Sequence, residues 1–87
     1  MIVFTKHAKD KFEILKRHKF LVSEEQVITI ITNPDLIDYS RTPLLIAQCK
    51  IDRTRVLRVV YKKERGVIKV ITFYPGKISQ YKNENKK

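Results

Sequence analysis

The residues able to move a proton near neutral pH are few. His7 and His18 are the only imidazoles in the chain, and imidazole is the side chain that titrates in that range. Four tyrosines and a surplus of Lys and Arg accompany them. That set suits metal-free cleavage of a phosphodiester by a neighbouring hydroxyl, the 2′-OH of RNA. Such a step needs a group to accept the attacking proton, a group to protonate the leaving oxygen, and cations for the charge that builds on phosphate. His7 is the acid–base candidate. Arg58 and Lys69 are the phosphate stabilisers, with Lys77 as a third, and Tyr74 is a candidate proton donor. Tyr61 and Tyr81 could act in the same way or stack on a base.

Each of these residues also has a plainer role. His7 stands near a helix start, where capping or packing explains it. Arg58 lies mid-strand among apolar neighbours and needs an anionic partner, which is either phosphate or an internal carboxylate such as Asp38. Tyr61 and Tyr74 fall on the strand face assigned to the core, where a ring packs with its hydroxyl at the rim.

Other chemistries find little support. His7 and His18 are eleven residues apart, about 16 Å along one helix, too far to share a metal. There is no Cys/His cluster and no glycine-rich phosphate loop, so neither a metal nor a cofactor is expected. Cys49 reads as an inert core thiol.

The elements that must position these groups follow from periodicity. Ile2–Phe4 is a short edge strand, and Thr5 is the N-cap of a helix running to about Arg17. Ala8, Phe12 and Leu15 form its core stripe. Lys6, Lys9, Lys16 and Arg17 make the rest of it basic, with His7 and Lys11 on the shoulder of the stripe. Ser23-Glu24-Glu25-Gln26 is a capping box that opens a second helix, stopped by Asn33-Pro34. The period then falls to two. Leu36–Arg41 is a short extended segment, and Leu44–Ile51, Arg55–Lys62 and Val67–Tyr74 are strands. They are separated by an Asp52-Arg53 turn and a Gly66 turn, and the last is ended by Pro75-Gly76. Connections this short impose antiparallel pairing. The expected fold is α+β, with two N-terminal helices on one face of a three- to four-stranded antiparallel sheet. It is a single domain over residues 1–81 with a charged, disordered tail at 82–87.

Strand alternation assigns Leu45, Ala47, Cys49, Leu57, Val59, Tyr61, Ile68, Val70, Thr72 and Tyr74 to the helix side. The open side receives Gln48, Lys50, Arg58 and Lys69 among Val60, Ile71 and Phe73. A half-cationic, half-apolar sheet face suits a strand of RNA, with cations on phosphates and Phe73 stacked on a base. The RNA-contacting set is therefore Lys11, Gln48, Lys50, Phe73, Lys77 and Tyr81. An ordinary solvated face or a docking surface for a partner protein would also fit.

Composition points the same way. Nineteen Lys and Arg against nine Asp and Glu give a net charge of +10 in 87 residues, which attracts polyanions. The single Cys fits a reducing cytoplasm. No apolar run approaches the roughly 18 residues of a membrane span, and the N-terminus carries no secretory leader.

The segments Phe4-Thr5-Lys6-His7-Ala8, Ser23–Gln26 through Asn33-Pro34, Leu57-Arg58-Val59-Val60-Tyr61 and Val70-Ile71-Thr72-Phe73-Tyr74-Pro75 together resemble a family of small microbial domains. That family is grouped with the RelE/ParE-like toxins and is close in pattern to BrnT. The resemblance covers roughly residues 3 to 81. It implies a RelE-like fold and either an RNA-cleaving activity, including at the ribosome, or a non-catalytic binding role. It also implies an acidic antitoxin as partner. The family pattern carries Arg where this chain has Lys11, which keeps the charge but loses the two-pronged phosphate geometry.

Overall fold

The computed structural model describes residues 1–81, so the expected tail at 82–87 lies outside the described residues. Eight elements follow one another: β1 (Ile2–Phe4), α1 (Lys6–Arg17), α2 (Glu24–Thr32), β2 (Leu36–Asp38), β3 (Leu45–Lys50), β4 (Arg55–Glu64), β5 (Val67–Lys77) and α3 (Ile78–Tyr81). The fold is α+β. The sheet has five strands in the order β1-β5-β4-β3-β2, antiparallel except that β1 runs parallel to β5. The expected three- to four-stranded antiparallel sheet is thus short of one strand and of the parallel pair. The edge strand itself was expected at Ile2–Phe4, but its parallel pairing with the last strand, across nearly the whole chain, leaves no local signature.

Both helix starts follow their caps. The Thr5 hydroxyl accepts from the Ala8 amide at 3.1 Å and donates to the Ile71 carbonyl at 3.2 Å. One side chain therefore both caps α1 and ties it to β5. Ser23 Oγ accepts from the Gln26 amide at 3.0 Å, the forward half of the capping box, and Glu24 and Glu25 occupy the positive end of α2. Arg65 and Gly66 both have positive φ, at 50° and 82°, as a two-residue turn matched to strand twist requires.

Ala8 and Leu15 of α1 and Val27, Ile30 and Ile31 of α2 pack on Ala47, Leu57, Val59, Tyr61, Val70 and Phe73. The core lies between the helices and one face of the sheet. The alternation expected for β3 and β4 holds, but that of β5 does not. Tyr61 pairs with Val70 and Val60 with Thr72, which leaves Ile71 as an extra residue in β5. This bulge reverses the facing of everything beyond it. Phe73, expected on the open face, is 0% exposed in the core. Its ring centroid lies 4.6 Å from that of Phe12, which in turn lies 5.8 Å from Phe4. Thr72 and Tyr74, expected in the core, face the other way.

β5 also continues through Pro75 and Gly76, where a stop was expected. β1 pairs only with Ile68–Val70, so the outer edge of β5 at Pro75 has no neighbouring strand, the setting in which a strand tolerates proline. β2 is shorter than expected. Asp38 Oδ1 accepts from the Ser40 amide at 2.8 Å, and this side-chain turn diverts the backbone after Asp38. Among the described residues no helix is long and apolar enough to cross a membrane.

Candidate functional site

The centre of the open face is built on β4. Arg58 alternates with Leu57 and Val59, both in the core, so its side chain projects to the side the helices leave uncovered. The register sets Gln48 of β3 and Tyr74 of β5 directly opposite it on either side. Asp38 reaches in from β2. Arg58 donates through Nη1 to Gln48 Oε1 at 2.6 Å, through Nη2 to Asp38 Oδ2 at 2.8 Å, and through Nε to the Tyr74 hydroxyl at 3.2 Å. The guanidinium is only 4% exposed, and a buried cation is tolerated in such a place because it is paired and its donors are used.

Asp38 is held at a pKa of about 2. The Ser40 side chain and amide are the main cause, opposed by burial, with the Arg58 hydrogen bond and charge adding to the depression. Asp38 therefore stays ionised at any physiological pH and compensates Arg58. Above this network lies a cleft of about 420 Å³ lined by Asp38, Ser40, Arg41, Leu44, Ile46, Arg58, Val60 and Tyr74. Asp38 and Tyr74 are among the polar residues of its lining.

The candidate residues divide into those this face gathers and those it does not. Arg58, Gln48 and Tyr74 meet. Lys50 lies on the same face, exposed at the end of β3, and its backbone N–H donates to Asp35 Oδ2 at 2.9 Å. Lys69 shares the face but pairs in register with Lys62, four residues along β4 from Arg58 and so about 13 Å away. Its ammonium lies 3.3 Å from Glu64, which also holds Lys62 at 3.2 Å. Those two lysines lower the Glu64 pKa. The cations of the open face are consequently spread along the strands rather than converged, contrary to expectation.

His7 and Lys11 lie on α1, in the layer across the sheet from Arg58. His7 is exposed, and nothing brings it against Arg58, Lys69 or Tyr74. The acid–base role expected for His7 in that cluster is thereby removed, because α1 packs on the face opposite the cluster. The stacking role of Phe73 is removed by its burial. Lys77 is exposed at the end of β5, away from the cleft. Tyr81 closes α3, and its side chain lies outside what is described.

The sequence reading missed Ser40 and Arg41. The Asp38-Tyr39-Ser40 stretch carried a usable signal, since Asp followed two residues later by Ser is an Asx-turn pattern. Cys49 is half-buried and its thiol donates to the Asn33 carbonyl at 3.6 Å. Burial raises its pKa, in keeping with an inert thiol. Among the described residues no group of three or more His, Cys, Asp or Glu is placed to hold a metal ion. Comparison with family models, curated proteins and solved structures returns no match for this chain.

Proposed function

We propose that the chain is an RNA-binding domain of the toxin type, acting through the cations its own carboxylates leave uncompensated. The net charge of +10 carries this reading. Asp10, Asp38, Asp52 and Glu64 are taken up by Lys6, Arg58, Arg55 and the Lys62–Lys69 pair. Among the described residues no ion pair engages Lys9, Lys16, Arg17 or Lys19 near α1, nor Arg41, Lys50 or Lys63 around the sheet. Cations of this kind exchange their counterions for phosphates, which makes binding strong at low salt and weak at high salt. An acidic partner protein would compete for the same surface.

Anisotropy of labelled single-stranded RNA, titrated over a range of salt, tests this. The expected result is a linear fall of log K with log salt, with a slope of about −0.7 per phosphate contacted. A flat response overturns the reading.

A second reading, metal-independent cleavage of that RNA, is favoured by one observation, that Tyr74, whose hydroxyl is held by Arg58, lines a cleft. In that reading the 2′ oxygen attacks the phosphate and gives its proton to water, the bond from phosphorus to the 5′ oxygen breaks, Tyr74 protonates that leaving oxygen, and Arg58, fixed by Asp38, orients the phenol towards the phosphate. Incubation with RNA in the presence of a chelator decides it. Cleavage lost in Tyr74→Phe supports it, and intact RNA with the native chain ends it.

A further inference from the structure

One end of the sheet carries a charge arrangement that strands ordinarily avoid. Arg55 of β4 and Lys77 of β5 are direct cross-strand partners, and like charges so placed are destabilising. Alternation puts both on the helix side of the sheet, with Leu57 and Pro75, and so away from the Arg58 cleft. Asp52 offsets one of them, accepting from Arg55 Nε at 2.8 Å and lying 2.8 Å from Nη2. The guanidinium also lies over the Phe20 ring, 5.0 Å from its centroid. Among the described residues no carboxylate pairs with Lys77 or with Arg53. All three cations line one cavity of about 570 Å³ together with Thr54, Ile78 and Ser79.

The backbone around this cavity is braced. Asp52 Oδ1 accepts from the amides of Thr54 and Arg55 at 2.9 and 2.8 Å, which fixes the turn that presents Arg53. The Ile78 amide donates to the Thr54 carbonyl at 2.8 Å, which links that turn to the end of β5. The Lys77 amide donates to Gln80 Oε1 at 2.9 Å. Three cations facing one carboxylate, on a frame joined from both sides, leave a local positive surplus in a concave site.

We propose that this cavity is a phosphate subsite that takes one phosphate group of the bound RNA. Arg53 and Lys77 are its free ligands, and Arg55, oriented by Asp52, is its third. The cavity exceeds a phosphate in size, and Ile78 gives it an apolar wall against which the attached nucleoside fits. The proposal rests on the RNA-binding reading for the origin of the phosphate, but not on cleavage.

The test uses the full chain, isotope-labelled for NMR, with inorganic phosphate as first probe and a short RNA with and without a 5′-phosphate as second. Phosphate is expected to shift the amides of Thr54, Lys77 and Ile78, and Arg53→Ala/Lys77→Ala to abolish those shifts. The same variant is expected to weaken RNA binding about tenfold, as loss of charge-assisted bonds does. Lys6→Ala, which removes a cation that Asp10 already compensates, is expected to weaken it much less. If a 5′-phosphate tightens the native chain and not the variant, the site takes a terminal phosphate. Equal tightness with and without it assigns an internal diester. If RNA binds and the double variant weakens it no more than Lys6→Ala does, the subsite is overturned while the RNA reading stands. If RNA fails to bind but phosphate still moves Thr54 and Ile78, the RNA reading falls and a small-anion site remains. Absence of both overturns both.

Discussion

The Nε of Arg58 donates to the Tyr74 hydroxyl at 3.2 Å, across a register in which the two residues face one another on β4 and β5. This contact exists because β5 reverses its facing at Ile71. Without that reversal Tyr74 would lie in the core and Arg58 would have Phe73 beside it.

Replacement of Tyr74 by Phe removes one acceptor from Arg58 and little packing. The expected cost is about 1 kcal/mol in urea unfolding, with RNA affinity unchanged within error. A large loss of affinity would mean that the phenol itself contacts RNA.

Asp38→Ala leaves a buried guanidinium without its carboxylate. A loss of about 3–5 kcal/mol is expected, as for a broken buried ion pair. The variant Asp38→Leu/Arg58→Met, which removes both charges, is expected to be more stable than Asp38→Ala. Equal destabilisation of the two, measured by chemical denaturation, would show that the network is not electrostatic in origin.

The Asp38 carboxyl also sets a pH dependence. Its folded pKa of about 2 is depressed from the ordinary 3.8. The stabilisation is therefore present above about pH 4 and is lost as the pH falls towards 2, amounting to at most about 2 kcal/mol. Urea midpoints at pH 5 and pH 2 measure it, and Asp38→Asn is expected to flatten the difference.

Phe73→Ala empties a fully buried position beneath Phe12. A destabilisation of about 3–5 kcal/mol is expected. A loss under 1 kcal/mol by thermal or urea unfolding would place the ring outside the core.

Local chemistry made much of this fold readable. The Thr5 and Ser23 caps, the Gly66 turn and the alternation of Leu45–Lys50 and Arg55–Glu64 each depend on residues within a few positions of one another. The facing of β5 does not. Both of its parities are half apolar, Ile68, Val70 and Thr72 against Val67, Ile71 and Phe73, and the bulge carries no glycine to mark it. The parallel pairing of Ile2–Phe4 with Ile68–Val70 is set by tertiary packing across nearly the whole chain. At the site, a buried Arg58 needing an anion was legible, with Asp38 as a named alternative to phosphate. The convergence of Lys50 and Lys69 on it was not a safe inference, because sharing a face says nothing of distance along the strand.

The unpaired residue in β5 has a consequence for how the gene can change. Substitutions at Ile71 leave the count between Val70 and Phe73 intact. Deletion of that one codon removes the unpaired residue itself: Val70 stays opposite Tyr61 and Thr72 opposite Val60, so the strand becomes regular with the phenylalanine ring still beneath the helices and the phenol still on the far side. The position can therefore be substituted or lost without exchanging the two rings.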